Sequence, residues 1–207
     1  MDAGACIQSP RSVRVLLLST VRFALSVFLW SSLVSAVSAP LAWPQSESPS
    51  EYLVKAAFLY NFAKFVEWPP DAFPDPTSPF IFGIVGDDPF DDELNAMISE
   101  KSLSGRRFVV RRFRRGEDLR HCHVLFISAS EKKFLKLILE SVRGSSVLTV
   151  ADADGFARQG GMIGFVLQES RVRLEVNPQV AGRSRLKISS KLLALARIVG
   201  ESETGRN

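Results

Sequence analysis

The spacing of apolar positions changes several times along the chain, and each change marks an element. The first well-formed pattern runs from Glu51 to Pro70, EYLVKAAFLYNFAKFVEWPP. Leu53, Ala56, Ala57, Tyr60, Ala63 and Trp68 recur at three- and four-residue steps, with Phe65 one step off. Lys55, Asn61, Lys64 and Glu67 interrupt them, which is helical rather than strand periodicity. Ser50 is the expected N-cap with Glu51 in the first turn, and Pro69-Pro70 ends the helix. Tyr52, Phe58, Tyr60, Phe62, Phe65 and Trp68 carry apolar surface almost all the way round. A helix of that kind is either buried deeply or keeps a second face for a partner.

Beyond a proline-rich loop over 71–79, the pattern switches to short apolar runs. Phe80 to Val85 (FIFGIV) predicts a buried strand running into Gly86-Asp87-Asp88-Pro89. Asp88 as cap and Pro89 at the first helical position predict a helix to about Ser99. Arg106 to Arg115 predicts a strand in basic flanks, and His123 to Ile127 another buried strand. Ser128 with Glu131 at the third helical position predicts a capped helix carrying Phe134, Leu135, Ile138, Leu139 and Val142, ended by Arg143-Gly144. Ser146 to Val150 is a third buried strand, running into Ala151-Asp152-Ala153-Asp154-Gly155. This alternation predicts an α/β fold with a largely parallel central sheet flanked by helices. The tail differs: Met162–Glu169 and Val172–Asn177 predict a hairpin with one wet face. Ser189 to Val199 predicts a closing amphipathic helix.

The first 39 residues fall outside this scheme. Arg11, Arg14 and Arg22 precede the apolar run Phe23–Val34, and small residues follow through Ala39. That is the layout of a cleaved signal peptide, too interrupted by arginine for a membrane span. Residues 40–50 read as a Pro/Ser linker, 51–200 as one α/β domain, and 201–207 as a disordered tail. The full chain has a formal charge of +4. Removing residues 1–39 takes three arginines and one aspartate, leaving +2, so nothing demands nucleic acid as a partner. It also takes Cys6, leaving Cys122 alone. An internal disulfide is then excluded, and stability must come from packing.

Few residues suggest chemistry. His121-Cys122-His123 has metal-ligand types, but at a strand entry the two histidines share a face and the cysteine points away. No metal and no cofactor is expected. Asp87 and Asp88, Ser128 and Asp152 follow predicted parallel strands, where open α/β sheets bind ligands. They are the candidate small-molecule site; as caps and turn formers they also need no ligand. The arginines at 106, 107, 111, 112, 114 and 115 fit a charged, aggregation-resistant edge strand. No catalytic constellation is visible, so the expectation is a non-enzyme.

Five segments together resemble the YfiR family of exported regulators: KAAFLYNFAKFVEWP, FGIVGDDPFDDEL, HVLFIS, SVLTVADADGFARQGGMIGFVLQESRVRLEVN and LKISSKLLALARIV. They occur in order from about Glu51 to Val199. The resemblance implies a periplasmic repressor of an inner-membrane diguanylate cyclase, or of a similar sensor protein, controlling cyclic di-GMP and biofilm formation. It also implies an opposing outer-membrane lipoprotein as a second partner and leaves room for a homodimer. The family's namesake carries structural disulfides, which a lone Cys122 cannot form. A protein that acts by contact needs exposed apolar anchors. Phe65, Glu67, Trp68 and Pro69, at the end of the opening helix, are the candidate partner-binding patch. The alternative is a periplasmic sensor with its ligand at the strand ends.

Overall fold

The computed structural model describes residues 51–200. The signal-peptide, linker and tail assignments lie outside the described residues, as does the Ser50 cap. The opening helix, α1 (Glu51–Phe65), forms as its spacing predicts and carries an i,i+4 pair between Glu51 and Lys55 at 2.5 Å. A two-residue strand, β1 (Val66–Glu67), follows it directly.

The main sheet is built from β2 (Phe80–Val85), β3 (Ser102–Leu103), β4 (Arg106–Phe113), β5 (Val124–Ile127), β6 (Leu148–Ala151), β7 (Ile163–Gln168), β8 (Arg171–Val176) and β10 (Ala196–Ile198). Its spatial order is β10-β8-β7-β6-β5-β2-β4-β3. From β4 to β7 every neighbouring pair is parallel, with Phe82 aligned between Val110 and Val124. β7 and β8 form the expected antiparallel hairpin. Its turn residues Glu169 and Ser170 both have positive φ, 51° and 58°, the backbone of a type I′ turn without the usual Asn-Gly. The fold is thus α/β with a mostly parallel sheet and a C-terminal hairpin.

Strand alternation divides the core in two. Phe80, Phe82, Ile84, Val124, Phe126 and Phe165 pack with α1 and with α2 (Glu93–Ile98), α4 (Pro178–Arg183) and α5 (Ser190–Leu193). Val85, Phe113, Leu125 and Ile127 pack on the opposite face with α3 (Leu135–Ser141). The ring of apolar residues on α1 is explained by depth. Ala56, Leu59, Phe62 and Ala63 are fully buried, while Phe58 and Tyr60 pack on Phe165 and Phe108 at its flanks.

Several elements differ from their sequence expectation, each for a local reason. Asp88 accepts from Phe90 N as a cap would, but α2 begins only at Glu93, because Asp91 takes a left-handed φ of 46°. Ser128 caps as predicted, accepting from Ser130 N, but it opens a 3-10 stretch, Ala129–Phe134, before α3. Glu131 does not reach back to the cap; its carboxylate takes a two-point bond from Arg115 at 2.8 and 2.9 Å. α4 was not legible from periodicity, yet it has its own start signal: Asn177 caps Val180 N at 3.2 Å and Pro178 follows.

The closing helix is the largest correction. Ser189 caps it, but it ends at Leu193, and Ala196–Ile198 becomes β10, parallel to β8. Here Arg197 aligns with Glu175, and the two side chains pair. Glu175 is buried and draws Arg158 as well. A buried carboxylate needs such partners, and a continued helix would carry Arg197 away from it.

Candidate functional site

The end of α1 is held by strand pairing with a distant segment. Val66 and Glu67 pair with Ile188 and Lys187 of β9 (Lys187–Ile188), and Phe65 O accepts from Ser189 N at 2.8 Å. Trp68 is half-buried. Its indole N–H donates to His123 O at 3.3 Å, and its ring meets Phe80 edge-on at 5.0 Å. Phe65 and Pro69 are also half-buried, and Glu67 is exposed. The four patch residues therefore sit together on a fixed rim, neither swallowed by the sheet nor free of it.

Beneath this rim lies His123, stacked between Phe73 at 4.4 Å and Phe80 at 4.8 Å. Its Nδ1 accepts from Ile81 N at 3.0 Å, so Nε2 carries the proton and donates to Ala72 O at 3.2 Å. Burial pushes its pKa down to about 4, against the opposing pull of the Ala72 carbonyl. His121 is separated from it: it lies exposed in a 3-10 turn, 3.3 Å from Asp118. Cys122 is buried, its Sγ bonds to Leu119 O, and burial pushes its thiol up to about 12. Among the described residues, no group of three His, Cys, Asp or Glu side chains is placed to hold a metal.

The strand-end residues divide into two sets. Asp88 bridges Phe90 N and Arg112, at 2.9 and 2.7 Å. Ser130 links Asp87 to Ser128, accepting from Asp87 N at 3.0 Å and lying 3.3 Å from Ser128 Oγ. Gly86 is required there: its φ is +90°, and a Cβ would come within 2.5 Å of Ser130 Oγ. Asp87, Asp88 and Ser128 thus act together as a turn and two caps.

Asp152 stands apart, beyond β6 and against the first turn of α1. Its Oδ2 accepts from Lys55 Nζ at 3.1 Å and from Tyr52 OH at 3.2 Å. Its Oδ1 is buried with no hydrogen-bond partner, a condition that costs about 1–3 kcal/mol. Lys55 is only 3% exposed and shared between Glu51 and Asp152. Burial works against its charge, but the two carboxylates outweigh it and hold its pKa above the ordinary lysine value. Burial and the Asp152 charge likewise raise Tyr52.

These groups line an open cavity of about 190 Å³, bounded on its other side by Phe165 and Leu167 of the hairpin. Asp87, Asp88 and Ser128 are not in its lining. Sequence reasoning reached Asp152 but missed Glu51, Tyr52 and Lys55. The available signal was a lysine set among Leu53, Val54, Ala56 and Ala57, which needs a counter-charge if that face is buried. Its lining offers charge and hydrogen-bond recognition.

No curated protein matches the chain. A family profile described as YfiR/HmsC-like matches residues 52–197, the span from the first turn of α1 to the middle of β10. That span takes in the rim, all of the cavity lining but Glu51 and all of the sheet but the end of β10, and the chain belongs to the YfiR/HmsC-like family.

Proposed function

We propose that this protein is a periplasmic, non-enzymatic regulator that restrains an inner-membrane diguanylate cyclase, or a similar sensor protein, by direct contact. An outer-membrane lipoprotein would compete for it. Its export would depend on residues 1–39, and no helix of the described residues is long and apolar enough to cross a membrane. The observation that carries the reading is the family match over residues 52–197. The rim supports it with a surface: Trp68 and Phe65 are half-exposed aromatics on a backbone pinned by β9. Rigid aromatics lose little side-chain entropy on binding, which is why they anchor interfaces. Glu67 beside them adds a charge that favours one partner over another.

The test is crosslinking in intact envelopes, paired with cyclic di-GMP measurement in a deletion strain. A raised cyclic di-GMP level and capture of a membrane cyclase are expected. Unchanged levels together with no captured envelope protein would overturn the reading.

A further inference from the structure

We infer that the cavity between α1 and the β7–β8 hairpin is a binding site for a compact organic ammonium compound. This goes beyond the regulatory reading and does not rest on it. Three carboxylates, Glu51, Asp152 and Asp154, face this cavity against the single ammonium of Lys55. The α1 N-terminus offsets only part of the difference, about half a charge. Asp154 is exposed and Glu51 partly so, which leaves both open to a ligand.

The second observation is independent of charge. The Asp152 side chain is 9% exposed, and its Oδ1 has no hydrogen-bond partner. Buried carboxylate oxygens are normally paired. The cavity is far larger than one water requires. It is also smaller than the usual space for a drug-sized molecule, so the ligand is small. Tyr52 is the half-buried wall beside it: its hydroxyl bonds Oδ2, its ring meets Phe90 edge-on at 5.7 Å and lies 4.4 Å from Lys55 Nζ. An N–H donor reaches the buried Oδ1 only by displacing such a neighbour.

The walls choose between an organic and an inorganic cation. Lys55 Nζ already occupies the point between Glu51 and Asp152, where a metal ion would bridge carboxylates. Phe165, Leu167 and Val172, on one face of the hairpin, supply apolar surface on the facing side, and Leu167 is 58% exposed there. An ammonium group on a short alkyl chain matches both sides; a hydrated divalent ion matches neither.

The test uses the purified chain with n-butylammonium and butane-1,4-diammonium as probes. Binding is read by calorimetry and by amide shifts at Ala129, Asp152 and Asp154. n-Butanol, butyrate and calcium ion are the comparison arms. Both ammonium probes should move these amides, and the dication should bind more tightly. Asp154→Asn, at an exposed position that leaves the fold intact, should weaken the dication about tenfold, the worth of one charged contact. Asp152→Asn should weaken both probes, with far-UV circular dichroism checking its fold. No shift with either probe at about 10 mM, the weak end of specific binding, would overturn the inference. So would an equal response to calcium or to butanol, or an undiminished response in Asp154→Asn.

Discussion

The Lys55 ammonium lies 3.1 Å from Asp152 Oδ2 and ties the first turn of α1 to the end of β6. Both side chains are more than nine-tenths buried. Removing one partner of such a pair strands the other charge, at about 3–5 kcal/mol. Lys55→Ala should therefore lower stability by about 3 kcal/mol in urea unfolding, since Tyr52 still donates to Asp152. Lys55→Met combined with Asp152→Leu should recover part of that loss. A single variant costing under about 0.5 kcal/mol, the range of ordinary surface changes, would show the pair to be solvated.

His123 makes stability depend on pH above the carboxylate range. Its pKa is about 4 in the folded chain and 6.5 as a free side chain. Above pH 6.5 both states are neutral and stability is full. As pH falls from 6.5 to 4 the unfolded chain takes a proton that the folded chain refuses, so stability declines. The difference corresponds to roughly 3 kcal/mol. Urea midpoints should fall across that window in the native protein and stay nearly flat in His123→Leu. Parallel slopes in the two proteins would rule the mechanism out.

The rim can be probed without disturbing the fold. Glu67 is exposed, with Lys187 4.0 Å away. Glu67→Lys should change stability by no more than about 0.5 kcal/mol, yet reduce capture of the membrane partner. Trp68→Ala should abolish capture and also lower stability by about 2 kcal/mol, because the Phe80 contact and the bond to His123 O are lost. If Glu67→Lys and Trp68→Ala proteins crosslink like the native one, the partner surface lies elsewhere.

Gly83 tests the tightness of the second core. A Cβ added there would meet Phe113 Cε2 at 2.8 Å and Cys122 Sγ at 2.9 Å. Gly83→Ala should cost about 1–3 kcal/mol. Adding Cys122→Ala should return part of it by removing one of the two obstructions. Equal stability of Gly83→Ala and the native chain in thermal unfolding would mean the strands separate easily.

The sequence showed the parallel sheet because fully apolar runs such as FIFGIV and HVLFI have no wet face to confuse them. Helix edges were harder. Nothing in Asp88-Pro89 announces that Asp91 will turn left-handed, its carbonyl accepting from Arg112 of a neighbouring strand at 3.2 Å. The final segment misled because Leu192 and Leu193 do form a helical turn, and only Glu175, a partner remote in sequence, recruits Arg197 into a strand. The same limit applied at the cavity. Asp152 was visible from its place after a strand, whereas Tyr52 and Lys55 become its partners only when α1 lies across the sheet.

That crossing of α1 also governs the order in which the chain can fold. Tyr52 and Asp152 are 100 residues apart, and Phe58 and Phe62 rest on Phe165 of β7. Contacts of such long range slow folding. A chain emerging from its N-terminus displays six aromatic side chains between Tyr52 and Trp68 well before their cover exists. Exposed apolar segments of this kind aggregate unless held. A chaperone holding the first helix until the hairpin arrives would prevent that.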